Sequence, residues 1–107
     1  MNREQNMPYV LNALERLAQA PSPSGMTGRV EALLMQELQG LGLSPWQTRK
    51  GGVLAQLNPG VEGEGILLSA HIDTLGLMVR AVKSNGRLRF TKIGGCPFNY
   101  AEQENVT

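Results

Sequence analysis

The chain is poor in the side chains that most often carry chemistry: its 107 residues include one histidine, His71, one aspartate, Asp73, and one cysteine, Cys96. A lone cysteine excludes an internal disulfide and suits a reducing compartment; Cys96 reads as a small, buried, apolar filler. Aromatic residues make up only 5% of the chain, so a core must come from Leu, Val, Ile and Met. No apolar run approaches the ~20 residues of a membrane-spanning helix, and the start MNREQNMPYV has no basic segment leading into a continuous apolar one. The expectation is a cytoplasmic chain with no membrane partner. A net charge of +1 provides no overall field for nucleic acid. The length leaves room for one small domain and excludes a multidomain enzyme.

Turn-forming residues are abundant, with 13 glycines and 6 prolines. From Pro8 to Ala20 the apolar residues Val10, Leu11, Leu14, Leu17 and Ala18 recur at helical spacing. Pro21, Pro23 and Gly25 end that helix, since proline removes a backbone donor and restricts the residue before it. A second helix is predicted from about Gly28 to Leu41, with Thr27 as N-cap and Gly40 and Gly42 forming the C-terminal turn. Val53–Leu57 and Ile66–Ala70 then read as short strands. Ile66, Leu67 and Leu68 are consecutive, the pattern of a central strand covered on both faces in an α/β sheet. Leu77–Val82 and Leu88–Thr91 flank Asn85-Gly86, a hairpin signal. Charge divides along the same line: the first 73 residues hold seven acids, whereas Thr74 to Ala101 carries Arg80, Lys83, Arg87, Arg89 and Lys92 without an acid. Two structural units meeting near Gly76 are expected.

His71 and Asp73 lie two apart directly after the apolar run, in ILLSAHID. Side chains at i and i+2 on extended backbone project to one side, so the Asp73 carboxylate can hold one ring nitrogen while the other faces a ligand. The end of a strand in an open α/β sheet is where ligands bind. Taken alone, a histidine at a strand end is more often structural or merely exposed. Ser22 and Ser24 lack the G-x-S-x-G turn of an activated nucleophile and read as loop residues. Glu102 and Glu104 sit in the polar tail AEQENVT, with no apolar setting to make them an acid/base pair.

Four segments occur together and in order: PSPSG after the first helix, KGGVLAQL, ILLSAHIDTLGLMV and NGRLRFTKIGG. In order and approximate spacing they resemble the start of the glutamyl and tetrahedral aminopeptidases, a family of two-metal peptidases. The likeness covers nearly the whole chain and is most specific in AHIDTLGLMV, residues 70–79. It implies an α/β fold: the N-terminal part of a zinc-peptidase-like α/β domain at residues 1–76, then, at 77–107, the beginning of an inserted antiparallel β-rich oligomerisation domain. It further implies that His71 ligates one of two divalent metal ions, zinc or cobalt, and that Asp73 is the catalytic-site residue that orients it. Peptide substrates and a homo-oligomer with no nucleic-acid partner follow from the same resemblance. The bridging aspartate, the acidic pair with the general base, the further carboxylate ligand and the second histidine of such enzymes have no counterpart among these residues. The expectation is therefore an N-terminal fragment of a metal-dependent aminopeptidase, inactive alone, whose last strands lack partners and expose open edges. Two alternatives differ in class: a non-catalytic assembly or binding module derived from that family, and a small nucleic-acid-binding β module, which the near-neutral charge disfavours.

Overall fold

The computed structural model describes residues 3–95 and 97–106. Cys96 and its reading as a core filler lie outside the described residues. Helix α1 (Arg3–Gln19) and helix α2 (Gly28–Gly40) come first, followed by strands β1 (Trp46–Gln47), β2 (Val53–Leu54), β3 (Gly76–Val82) and β4 (Leu88–Ile93) and a short 3-10 turn at Phe98–Ala101. Among the described residues no helix is long and apolar enough to cross a membrane.

Helix α1 begins upstream of the expected start and passes through Pro8. A proline there forfeits one i to i−4 bond, a loss confined to the beginning of the helix. Thr27 is the N-cap of α2, but its side chain makes no capping bond; its hydroxyl donates to Glu31 instead. The C-terminus of α2 closes as expected at Gly42. Its N–H reaches the Gln39 carbonyl at 2.9 Å, and the Leu43 N–H reaches Leu38 at 3.1 Å. Gly42 has φ +81, a conformation open to glycine without a Cβ penalty, and this pair of bonds is the Schellman arrangement. The two helices are linked by an Arg16–Glu37 ion pair, and Glu31 also accepts from Gln47 Nε2 at 2.5 Å, tying α2 to β1.

The strands do not form the single α/β sheet expected around Ile66–Ala70. β1 pairs antiparallel with β2, and β3 pairs antiparallel with β4, giving two separate two-stranded sheets in a mixed α and β chain. Ile66–Ala70 forms no strand: Ile66, Leu67 and Leu68 are 92%, 81% and 84% exposed, so the expectation of a central, doubly covered strand is overturned. A strand exists only where a neighbour satisfies its backbone groups, and no described segment lies alongside this run as a ladder partner. Val53–Leu57 shortens to Val53–Leu54 for the same reason.

The hairpin forms where expected. Asn85 is not at positive φ, whereas Gly86 is, at φ +79. The Gly86 N–H reaches Lys83 O at 2.9 Å and the Lys83 N–H reaches Arg87 O at 2.8 Å. These bonds define a three-residue loop with a glycine bulge. Register runs Val79 to Phe90 and Ala81 to Arg89, so Arg80 bulges out of β3. All five basic residues of the hairpin region are exposed, and Lys92 Nζ lies 5.4 Å from the centroid of the Phe98 ring, a cation–π contact. Burial is slight: among the described residues Val30, on α2, and Ser22 are the buried ones.

Candidate metal-binding site

Residues 71–75 leave the exposed run in an extended path and are held against the loop that joins the helices. The Thr74 N–H donates to the Ser22 carbonyl at 2.9 Å, and the Ser22 hydroxyl donates to the Ile72 carbonyl at 3.1 Å. Between these bonds Pro23 and Thr74 form an isolated parallel bridge. Ser22 is fully buried, and a buried hydroxyl is tolerated because it has found an acceptor. The loop then turns at Gly25, φ +89, with the Met26 N–H on Pro23 O at 2.8 Å. Gly76 completes the fit, since a Cβ there would stand 2.5 Å from Pro23 Cβ.

This clamp sets the side chains. Asp73 Oδ1 lies 3.0 Å from His71 Nδ1, and Asp73 Oδ2 accepts the Ser24 hydroxyl at 2.6 Å. An ionised carboxylate only accepts, so Nδ1 carries the proton and donates. In the neutral ring Nε2 is then the lone-pair nitrogen, on a side chain 87% exposed. The Ser24 hydroxyl, and after it the His71 ring, hold the Asp73 carboxyl below the ordinary carboxylate range by stabilising its charged form. The structure thus brings His71 and Asp73 together at the i, i+2 spacing. It also adds Ser24, which sequence reasoning treated as a loop residue. Ser24 does sit in the loop; nothing local in PSPSG marks it as the partner of a carboxylate 49 residues away. Glu102 and Glu104 are exposed and belong to no group with these residues.

A metal-ligating histidine characteristically donates its other ring N–H to a carboxylate, and His71 with Asp73 fits one such ligand. Among the described residues no three His, Cys, Asp or Glu side chains gather in a group that could hold a metal ion. What the chain offers is one oriented imidazole.

A sequence profile described as M42 glutamyl aminopeptidase matches residues 51–107, which include this histidine and its carboxylate. The chain belongs to the M42 glutamyl aminopeptidase family. Relatives named "Putative aminopeptidase" include YhfE of Bacillus subtilis (strain 168), 34% identical over 94 residues, 88% of this chain and 27% of YhfE. SgcX of Escherichia coli (strain K12) bears the same description and is 30% identical over 87 residues, 80% of this chain and 23% of SgcX. The glutamyl aminopeptidase of Lactococcus lactis subsp. cremoris (strain MG1363) is 29% identical over 87 residues, 80% of this chain and 24% of that enzyme. The chain spans about a quarter of the length of these relatives.

Proposed function

We propose that this chain contributes one oriented histidine, His71, to the two-metal centre of an aminopeptidase that removes N-terminal residues from peptides. The observation that carries the reading is the Asp73 Oδ1 contact to His71 Nδ1 at 3.0 Å, which leaves Nε2 with its lone pair at an exposed position. Asp73 keeps the ring in one tautomer, the one that presents Nε2. Divalent zinc or cobalt, when bound, supplies Lewis-acid activation of water and of the scissile carbonyl. The further ligands and the general base come from outside this chain, because among the described residues no three His, Cys, Asp or Glu side chains gather into a metal-binding group. The helices and residues up to 76 then serve as part of a zinc-peptidase-like α/β domain, and the β3–β4 hairpin opens the inserted β domain. The setting is cytoplasmic, where a lone thiol stays reduced.

Cobalt or zinc titration of the chain, together with a peptide-hydrolysis assay, tests this against His71→Ala. Weak binding that falls a further ~10-fold or more in the variant, with no turnover by either protein, is expected. Equal binding by both proteins removes His71 from the site. Tight binding with turnover, both lost in the variant, keeps His71 as a ligand and overturns the inactivity of the chain alone.

The exposed Ile66–Leu68 run favours a second role, non-catalytic assembly with longer homologous subunits. Co-purification with a larger family member supports it, and a chain recovered alone removes it.

A further inference from the structure

We propose that Ser24 is a positioning residue for the metal-binding histidine, holding Asp73 so that His71 keeps its proton on Nδ1 and presents Nε2 to a divalent cation. The inference rests on the metal-ligand reading of His71 and adds a component from the loop that joins the two helices.

Asp73 is partly open to solvent. Its side chain is 41% exposed, so water competes for both oxygens and packing alone does not fix the carboxylate. A carboxylate free to rotate about its last bond would share the His71 Nδ1–H with water. A neutral imidazole left to water favours the proton on Nε2, the tautomer that blocks that nitrogen as a ligand. The Ser24 hydroxyl removes this freedom by occupying Oδ2 at 2.6 Å while Oδ1 faces the ring at 3.0 Å. A hydrogen bond to an ionised acceptor is stronger than a neutral one, so a single hydroxyl suffices to bias the rotamer.

Ser24 is itself held. Serine in a turn commonly bonds its own backbone a residue or two away; here the hydroxyl reaches across 49 residues instead. It is aimed there by the clamp on either side: the Thr74 N–H on Ser22 O at 2.9 Å, the buried Ser22 hydroxyl on Ile72 O at 3.1 Å, and the Met26 N–H on Pro23 O at 2.8 Å. The loop and the histidine segment therefore move as one piece, and the order Ser24 to Asp73 to His71 is a relay of orientation in which the serine touches neither metal nor substrate.

His71 is the only histidine in the chain, so its ring nitrogens give an unambiguous signal. Long-range proton–nitrogen NMR of the full chain, recorded where the imidazole is neutral and without metal, reads the tautomer ratio directly. Wild type should be mainly Nδ1–H. Ser24→Ala should raise the Nε2–H to Nδ1–H ratio about threefold or more, the worth of one hydrogen bond. Ser24→Thr, which keeps the hydroxyl, should return it. Slow exchange of the Thr74 amide must persist in all three proteins, since it reports the clamp independently of Ser24's hydroxyl. An unchanged ratio in Ser24→Ala overturns the proposal. So does a change that appears only together with fast Thr74 exchange, because Ser24 would then act by folding the loop, and so does a failure of the threonine to restore the ratio. Metal does not enter this readout. A chain that keeps the Nδ1–H tautomer yet binds cobalt equally well with and without His71 overturns the metal reading alone.

Discussion

Asp73 accepts a hydroxyl on one oxygen and an imidazole on the other, so protonating it weakens both bonds together. Its carboxyl is held below the usual value chiefly by the Ser24 hydroxyl and then by the His71 ring. Folded-state affinity for the proton is thus lower than in the unfolded chain. The stabilisation from this group is complete above the unfolded value, ~3.9 for an aspartate, and is lost as pH falls through the lower folded value. Carboxyl carbon NMR should place the Asp73 midpoint below that of a free aspartate, and Ser24→Ala should move it upward; a midpoint indifferent to Ser24 would show that the bond does not persist in solution. The pairing of His71 with Asp73 was legible in the sequence because i and i+2 on extended backbone share a side. Ser24 was not legible, since its partner lies in a segment that only the folded chain brings near.

At the scale of elements, the docking of the helix-joining loop against β3 depends on the absence of a side chain at Gly76. A Cβ there would stand 2.5 Å from Pro23 Cβ, and a pyrrolidine ring cannot swing aside as a flexible side chain would. Gly76→Ala should therefore lift the loop, loosening the clamp by about 1–2 kcal/mol, or roughly 5–30-fold faster exchange of the Thr74 amide. Unaltered exchange would mean the loop yields without losing its bonds. Helix α2 and the β3–β4 hairpin were readable because their signals are local: an apolar stripe closed by Gly42, and two apolar runs around Asn85-Gly86. The hairpin loop closes through Gly86, which takes the left-handed conformation. The run at 66–70 was misread as a strand because strand formation depends on a neighbour, which no pattern within the run encodes.

The whole molecule is extended. Its radius of gyration is 18.2 Å and its extents are 61 × 34 × 22 Å, against ~13 Å for the radius of a compact domain of about 100 residues. Apolar side chains at Ile66, Leu67 and Leu68 stand in solvent on a backbone without ladder partners, which is a template for association. Sedimentation velocity should show concentration-dependent self-association, and Leu67→Lys should reduce it about tenfold or more, a burial worth of ~1.5–3 kcal/mol per side chain. A chain that remains monomeric throughout would show that this run is covered in solution.

The bonds that join residues 22–24 to residues 72–74 span about fifty positions, with Ser22 and Ile72 separated by 50. Closing a loop of that length costs on the order of 3 kcal/mol in chain entropy. The orientation of His71 is therefore a collective property, present only while the intervening helix α2 and the β1–β2 pair keep the two segments close. Thermodynamic reciprocity then applies: any ligand that binds Nε2 of the oriented ring would stabilise the docked loop by the same amount, and a change deep in α2 that lets the loop drift would be felt at Nε2 as weaker affinity.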